Sequence, residues 1–564
     1  METHGPVPAT RRGQPGRAPL PLAAALAGAR AQWLFAFALA AGLVLWSSAG
    51  FLLGEGVGIY DWQKELHYYH YLAGSLREYG QIPLSFVAVP VRLAGFPVLT
   101  QTSSYWGNPE VPVISPLLPL LLWIPPVAFV KASLAFHLVV ACAGAFVLAA
   151  RLGIGASGAL SLALLTAGNP WLMQHQAIGY TPWMAAGYLP LIAALLVREV
   201  RPRNVAAAAA LLALLVYQGA LHVFLWSVEV LIVLGACGAL RTRQTRPLRL
   251  ALQTLTGALI LALPRLVAIG LAVGGMVRAP AASYSSVAEL GGLLVDASSP
   301  LYPADILRHT HGTVFYDASF YCGRWLLALG GLLLAVHPFL RRASARSPLV
   351  AFDVWATIAV FVALGWQGTW SLVIHWLPWA SAQNYPYRFL PLAGFVFIAW
   401  VVCEGHTWLC ALLGRRGAWL LPLLLLPTLV AFHSRNATLV AAATSRSDVL
   451  AGFRLSRFFT EAVTVAGLPA TALRTTPRGV TIALDGGGDG PLLLPWIRTH
   501  RERDGFEFHG AQPSRVDLGR GLWLSPAPGV RQIEVRARDY GALPLSALAA
   551  LLWTGWWVAL RESG

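Results

Sequence analysis

The ionisable side chains of this sequence are few, and those able to do chemistry gather in three stretches. The densest is residues 54–112, which opens GEGVGIYDWQKELHYYHYLAGSLREYGQIPL and closes SYWGNPEVP. It holds Glu55, Asp61, Glu65, His67 and His70 among many aromatics, in a chain of which only 12% is charged. Asp61 and Glu65 stand four residues apart, so on a helix they share a face. His67 shares another face with Tyr71, and His70 lies beside it. A carboxylate here can take the proton of an acceptor hydroxyl as a general base, or hold a divalent cation against a phosphate oxygen. The plainer reading has Asp61 capping the helix and Glu65 pairing with Lys64 or Arg77. Trp62, Tyr68, Tyr69, Tyr105 and Trp106 can stack on sugar faces or anchor the stretch at a membrane interface.

The second stretch, residues 276–324, carries SSPLYPADILRHTHGTVFYD. His309 and His311 can bind metal if the loop folds the two rings together; a solvated loop with surface histidines is the bland alternative. The third, residues 366–389, ends SAQNYPYRF, with Tyr387 and then Arg388 at the edge of an apolar run. An arginine there can snorkel or grip a lipid phosphate with its planar donor fork. Arg265 follows Pro264 inside an apolar run, where charge is costly and faces a cavity or a partner. Arg278 and Arg324 can add to the same anionic pocket. Lone histidines such as His137, His175, His222 and His375 are assigned nothing, although His175 lies in a gap between apolar runs.

The elements that must hold these groups are membrane helices. The chain has 564 residues, 56% of them hydrophobic, with a mean hydropathy of +0.60, which marks a polytopic membrane protein. Its formal charge is +16, and only Lys64 and Lys131 are lysines. The arginines punctuate the gaps between apolar runs, as the positive-inside bias requires, rather than lining one soluble face, so nucleic-acid binding is a poor reading. The 5 cysteines include no CxxC and form no paired framework. No P-loop, GxSxG or HExxH motif appears.

Counting arginines gives about twelve spans with both ends cytoplasmic. These are residues 33–53, 132–150, 157–168, 182–197, 204–218, 222–240, 250–275, 325–340, 349–364, 388–403, 418–432 and 544–560. The alternation closes only if the Pro-rich residues 114–130 (containing SPLLPLLLWIPP) do not cross, as suits a re-entrant or interfacial segment. The expected domains are a disordered cytoplasmic tail (1–32), a transmembrane helical domain (33–432) with a first exoplasmic loop (54–131), a small exoplasmic β domain (433–543) and a terminal span (544–564). The β expectation rests on short alternating runs such as GVTIALDG and RQIEVRARDYG, cut by Gly and Pro. Residues 60–79 are expected to form an amphipathic helix lying on the membrane. Asn436-Ala437-Thr438 matches a glycosylation sequon.

Four features together resemble the bacterial polytopic glycosyltransferases of the GT-C superfamily, in particular its YfhO-like branch. They are the acid-bearing YDWQKELHYY of the first loop, the Pro-rich NPEVPVISPLLPLLLWIPP, the late QNYPYRF before a span, and a small β domain before a terminal span. The resemblance implies many transmembrane helices with an exoplasmic active site in a bacterial plasma membrane. It implies a polyprenyl-phosphate sugar donor, a glycan, lipid or protein acceptor, and often a divalent metal such as Mg or Mn. It implies an acidic first-loop residue as base, by position Asp61, with Glu55 and Glu65 as neighbours. The sequence lacks a clean adjacent acidic pair in that loop.

Together these readings assign catalysis to Asp61, Glu55 and Glu65, and donor-phosphate binding to Arg388, Arg265, Arg278 and Arg324. Substrate contacts fall to His67, His70, Trp62, Tyr105, Trp106 and Tyr387, and metal ligation to Asp61, His309 and His311. The alternatives are a transporter or flippase for a lipid-linked glycan, which would favour repeated halves with broken helices, and a non-catalytic cell-envelope assembly protein that keeps the fold without the chemistry.

Overall fold

The computed structural model describes residues 22–54, 56–58, 62–84, 91–93, 96–98, 104–197, 200–273, 284–295, 320–338, 349–373, 386–444, 473–484, 490–494, 497, 503–517, 521–538 and 542–562. It is mostly helical. Among the described residues five helices are long and apolar enough to cross a membrane, over stretches beginning at Arg30, Pro126, Leu221, Arg246 and Leu390, and four shorter apolar helices accompany them. The chain is an integral membrane protein on that ground.

The first helix, α1 (Leu22–Ser47), begins inside the stretch expected to be a tail, because LAAALAGARA is rich in strong helix formers. A short α2 (Ala49–Leu53) follows. Helix α3 (Trp62–Tyr79) is the core of the first loop. It does not lie on a surface. Leu66, Tyr68, Tyr69, Tyr71, Leu72 and Ala73 are all buried, so its apolar side is too wide for an interfacial helix. It packs instead against the 3-10 helix Leu118–Leu122 and against α4 (Pro126–Leu152). Arg77 near its end donates to the carbonyls of Leu121 (2.8 Å) and Ile124 (2.7 Å). It therefore works as a cap for the Pro-rich turn. Residues 114–125 form turns and that single 3-10 helix, since Pro116, Pro119 and Pro125 each remove a donor.

Helix α5 (Ala156–Ala167) is buried at every residue, which explains how a twelve-residue apolar helix can stand within the bundle. Helix α6 (Pro170–Ala177), a 3-10 helix (Thr181–Tyr188) and α7 (Leu189–Leu196) form one interrupted rod. The bundle continues with α8 (Pro202–Tyr217), α9 (Leu221–Thr242), α10 (Arg246–Val273), α11 (Val287–Val295), α12 (Arg324–Val336), α13 (Ala351–Gly365) and α14 (Gln367–Val373). Then come α15 (Leu390–Gly417), α16 (Leu420–Leu424) and α17 (Leu426–Thr444).

Helix α17 runs through residues 433–444, so the first part of the expected β domain is helical. Asn436 lies buried on that helix, and its Nδ2 donates to the Gly168 carbonyl at 3.1 Å. The amide is thus a packing contact between helices and no glycan acceptor in the folded chain. Strands begin at Leu473. One antiparallel sheet has the order β3 (Leu473–Thr476), β4 (Gly479–Ala483), β9 (Gln532–Ala537), β6 (Phe506–His509). A second has β5 (Leu492–Leu494), β8 (Gly521–Pro526), β7 (Ala511–Asp517). The short hairpin β1 (Val91–Leu93) and β2 (Phe96–Val98) stands apart in the first loop. Alternate residues Val480, Ile482, Ile533, Val535, Leu522 and Leu524 point inward and give both larger sheets one core. The last helix, α18 (Ala542–Glu562), packs on α10.

The β region meets the first loop at Leu84. Its amide donates to the Pro477 carbonyl (2.8 Å), and its carbonyl accepts from the Tyr105 amide (2.9 Å).

Candidate functional site

The interrupted rod at 170–188 is the feature that gathers polar groups. Asn169 caps α6 by accepting from the Trp171 amide at 2.9 Å, with Pro170 at the first helical position. The helix then ends in a Schellman turn: Tyr180 N–H reaches the His175 carbonyl (2.8 Å) and Gly179 N–H the Gln176 carbonyl (3.3 Å). Gly179 has φ +95°, which a residue with a Cβ rarely adopts. The turn hands the chain to Thr181 and Pro182 and projects four aromatic rings to one side.

Those rings form a cluster. His175 stacks on Trp183 (4.6 Å, 20° between planes) and lies 4.5 Å from Trp171. Its Nδ1 meets the Trp171 carbonyl at 2.8 Å. Tyr180 lies 5.0 Å from Trp183, and Trp226 of α9 meets Trp183 edge-on at 4.9 Å. His222 closes the same group at 5.7 Å from Trp183. Arg388, on the 3-10 turn Pro386–Phe389 that starts α15, lays its guanidinium 4.9 Å over Trp183 and 6.0 Å from Tyr180.

Helix α3 docks on the same turn. Trp62, Glu65 and Tyr69 fall on one helical face. Trp62 Nε1 donates to the Gln176 carbonyl at 2.7 Å. Thr181 Oγ1 donates to Glu65 Oε2 at 3.1 Å. Since a threonine hydroxyl has one proton, the 3.0 Å contact between Tyr69 and Thr181 has Tyr69 as donor. The result is a relay, Tyr69 to Thr181 to Glu65, in which the carboxylate is 1% exposed. Burial, and then the neighbouring Glu65, push the Tyr69 phenol well up from its ordinary value, so it stays protonated and remains a donor. Thr181 follows Tyr180 in the chain, so relay and ring cluster share one turn.

Other expected site residues have different places. Arg265 is fully buried, and its terminal nitrogens donate to the carbonyls of Tyr105 (3.4 Å), Trp106, Asn108 (2.5 Å) and Val111 (2.9 Å). Both Nη atoms therefore knot the loop 105–111, and Arg265 is corrected from phosphate ligand to loop anchor. Trp62 and Tyr105 are each buried, at 0% exposure. Tyr105 stacks on Tyr71 at 6.3 Å and turns its hydroxyl toward the Pro112 carbonyl, and burial raises its phenol pKa. Trp106 is half-buried, with the Arg265 guanidinium 5.7 Å over its ring. Arg324 is exposed at the start of α12. His70 is half-buried, and burial together with Arg77 lowers its pKa from 6.5 to about 4.

Glu55, Asp61, Arg278, His309 and His311 lie outside the described residues, as do the side chains of His67 and Tyr387. Among the described residues no group of three or more His, Cys, Asp or Glu could hold a metal. Each of the five cysteines is a thiol.

Thr181, Tyr69 as a relay donor, His175 and Trp183 are the site residues that the sequence does not single out. Their signal is the Pro- and aromatic-rich NPWLMQHQAIGYTPW, a run too broken to be one plain helix.

No family model matches the sequence, and no curated protein does. Solved structures with a likeness include the arabinofuranosyltransferase AftD from Mycobacteria, at 16% identity and a TM-score of 0.45, over 73% of this chain and 27% of that one. A mutant of the same enzyme matches at 15% identity and a TM-score of 0.35, over 74% and 27%. The chain thus spans about a quarter of the length of the enzyme it matches. At TM-scores below 0.5 these likenesses carry no functional weight.

Proposed function

We propose that the chain is a membrane glycosyltransferase of the GT-C kind, which moves a sugar from a polyprenyl-phosphate donor to a hydroxyl of a glycan, lipid or protein acceptor on the exoplasmic face. The observation that carries this reading is the buried Glu65, held by Thr181 and Tyr69 beside an aromatic floor and Arg388. An ionised carboxylate is an acceptor only, and the relay fixes its orientation, so it can take the proton of a hydroxyl brought to the turn. Aromatic faces suit the apolar side of a sugar ring, and a guanidinium suits a phosphate.

The steps follow from those groups. The acceptor oxygen attacks the anomeric carbon while its proton passes to Glu65. The bond from that carbon to the donor phosphate breaks, and its electron pair leaves with the polyprenyl phosphate. Arg388 balances the charge that develops on the leaving oxygen. The aromatic floor excludes water, which favours transfer over hydrolysis.

Glu65→Gln keeps the size and the Thr181 contact while removing the base. Purified protein with a lipid-linked sugar donor and a broad acceptor panel should release polyprenyl phosphate, and Glu65→Gln should slow that release by about 10²–10⁴-fold at unchanged melting temperature. Full activity in the variant would remove Glu65 from the chemistry.

A further inference from the structure

A cavity lies between α10 and α18, far along the chain from the ring cluster. It has a volume of about 650 Å³. One wall is polar: Thr245, just before α10, and Arg249, Gln253 and Thr256 on α10 line it, with Arg249 and Gln253 one i, i+4 step apart. The opposite wall is Trp556 and Leu560 of α18. Trp556 lies flat on α10 because residue 257 is glycine; a Cβ there would come within 2.6 Å of the indole.

The surroundings are apolar and outward-facing. Leu252 is 50% exposed and Leu551 is 72% exposed, as suits residues in contact with acyl chains. An arginine on such a face is costly in hydrocarbon unless something polar meets it. Arg243, Arg246 and Arg561 stand at the same end of the two helices, Arg561 with its guanidinium 5.4 Å over Trp557. Among the described residues that line the cavity there is no acid. Cationic at its mouth, hydrogen-bonding along one wall and apolar along the other, the cavity matches a molecule with an anionic head and a hydrocarbon tail.

We infer that this cavity is a binding site for one anionic phospholipid. Arg249 and Thr245 take the headgroup phosphate, Gln253 and Thr256 meet the glycerol esters, and the acyl chains run along Leu252 and Trp556. The site is separate from the Glu65 relay, so it stands or falls independently of the transferase reading.

Native mass spectrometry of the full chain in detergent, offered phosphatidylglycerol and phosphatidylethanolamine together, tests the site. The wild type should retain one phosphatidylglycerol in preference to phosphatidylethanolamine. Arg249→Gln should weaken that retention about tenfold. Ala559→Trp, which fills the cavity from α18, should abolish it, whereas Arg416→Gln, another exposed arginine, should leave it unchanged. Equal retention of the two lipids would overturn the proposal. So would unchanged retention in both Arg249→Gln and Ala559→Trp, or displacement of the lipid by glycerol 3-phosphate alone, since the cavity would then read a soluble anion.

Discussion

Glu65 and Asp61 illustrate what a residue's type does and does not disclose. Charge density alone makes both of them candidates, and their spacing places them on one face. Which acid is brought into a site depends on what that face docks against, and the Schellman turn at 175–180 is remote in sequence. The same holds for Arg265. An arginine inside an apolar run does signal a buried partner, but here four backbone carbonyls take its terminal nitrogens. His70 gives a test at this scale. Its pKa falls from 6.5 to about 4 on folding, so the folded state binds the proton less well than the unfolded chain. The stability it permits is fully present above pH 6.5 and is lost as the pH falls from there toward 4. At ~1.4 kcal/mol per unit the ceiling is about 3 kcal/mol, and partial exposure brings the real figure lower. Unfolding in detergent at pH 7.5 and pH 5 should therefore show His70→Gln gaining on the wild type at the lower pH. A gap that does not change with pH would contradict the burial of this ring.

At the scale of elements, hydropathy and arginine spacing locate the long helices closely. The expected span 222–240 is α9 at Leu221–Thr242, one of the helices long enough to cross, whereas 204–218 falls on the shorter apolar α8 at Pro202–Tyr217. Such signals are local, and the chain carries them residue by residue. The elements that escape are those whose character is set by neighbours. Helix α3 is interfacial by composition, yet its aromatics are enclosed because α4 and the Pro-rich turn cover them. Residues 433–444 lose their apolar periodicity and still continue α17, where the Asn436 Nδ2 donates to Gly168 of another element. The loop 105–111 is likewise shaped from outside. Replacing Arg265 with leucine would strand several buried carbonyls at about 1–3 kcal/mol each. The variant should lose at least about 3 kcal/mol of stability, seen as a marked drop in melting temperature. Arg265→Lys should recover little, because one ammonium cannot span four carbonyls. A wild-type melting temperature in Arg265→Leu would show that the loop holds itself.

At the scale of the whole molecule, the Leu84–Pro477 bond joins the first loop to the β region, so both belong to one side of the membrane. The relay and the ring cluster then lie at that side, where the proposed lipid-linked donor would present its sugar. An impermeant thiol reagent applied to intact cells should label both Gln81→Cys and Arg478→Cys, each at an exposed position, and should not label Arg416→Cys at the far end of α15. Labelling of only one of the first two would separate the loop from the β region. Arginine spacing sets an expectation of sidedness, but the proposed seat of the chemistry is not legible in it. It emerges only when α3, the turn at 178–181 and the start of α15 are folded together.

The most direct test is a photocrosslinking map with a polyprenyl-phosphate sugar that carries its reactive group on the sugar. Crosslinked peptides should fall on α3, on residues 180–188 and around Arg388, and Glu65→Gln should still be labelled because it loses only the base. Crosslinks confined to the β region, or to helix ends away from Thr181, would contradict a donor site at the Glu65 relay.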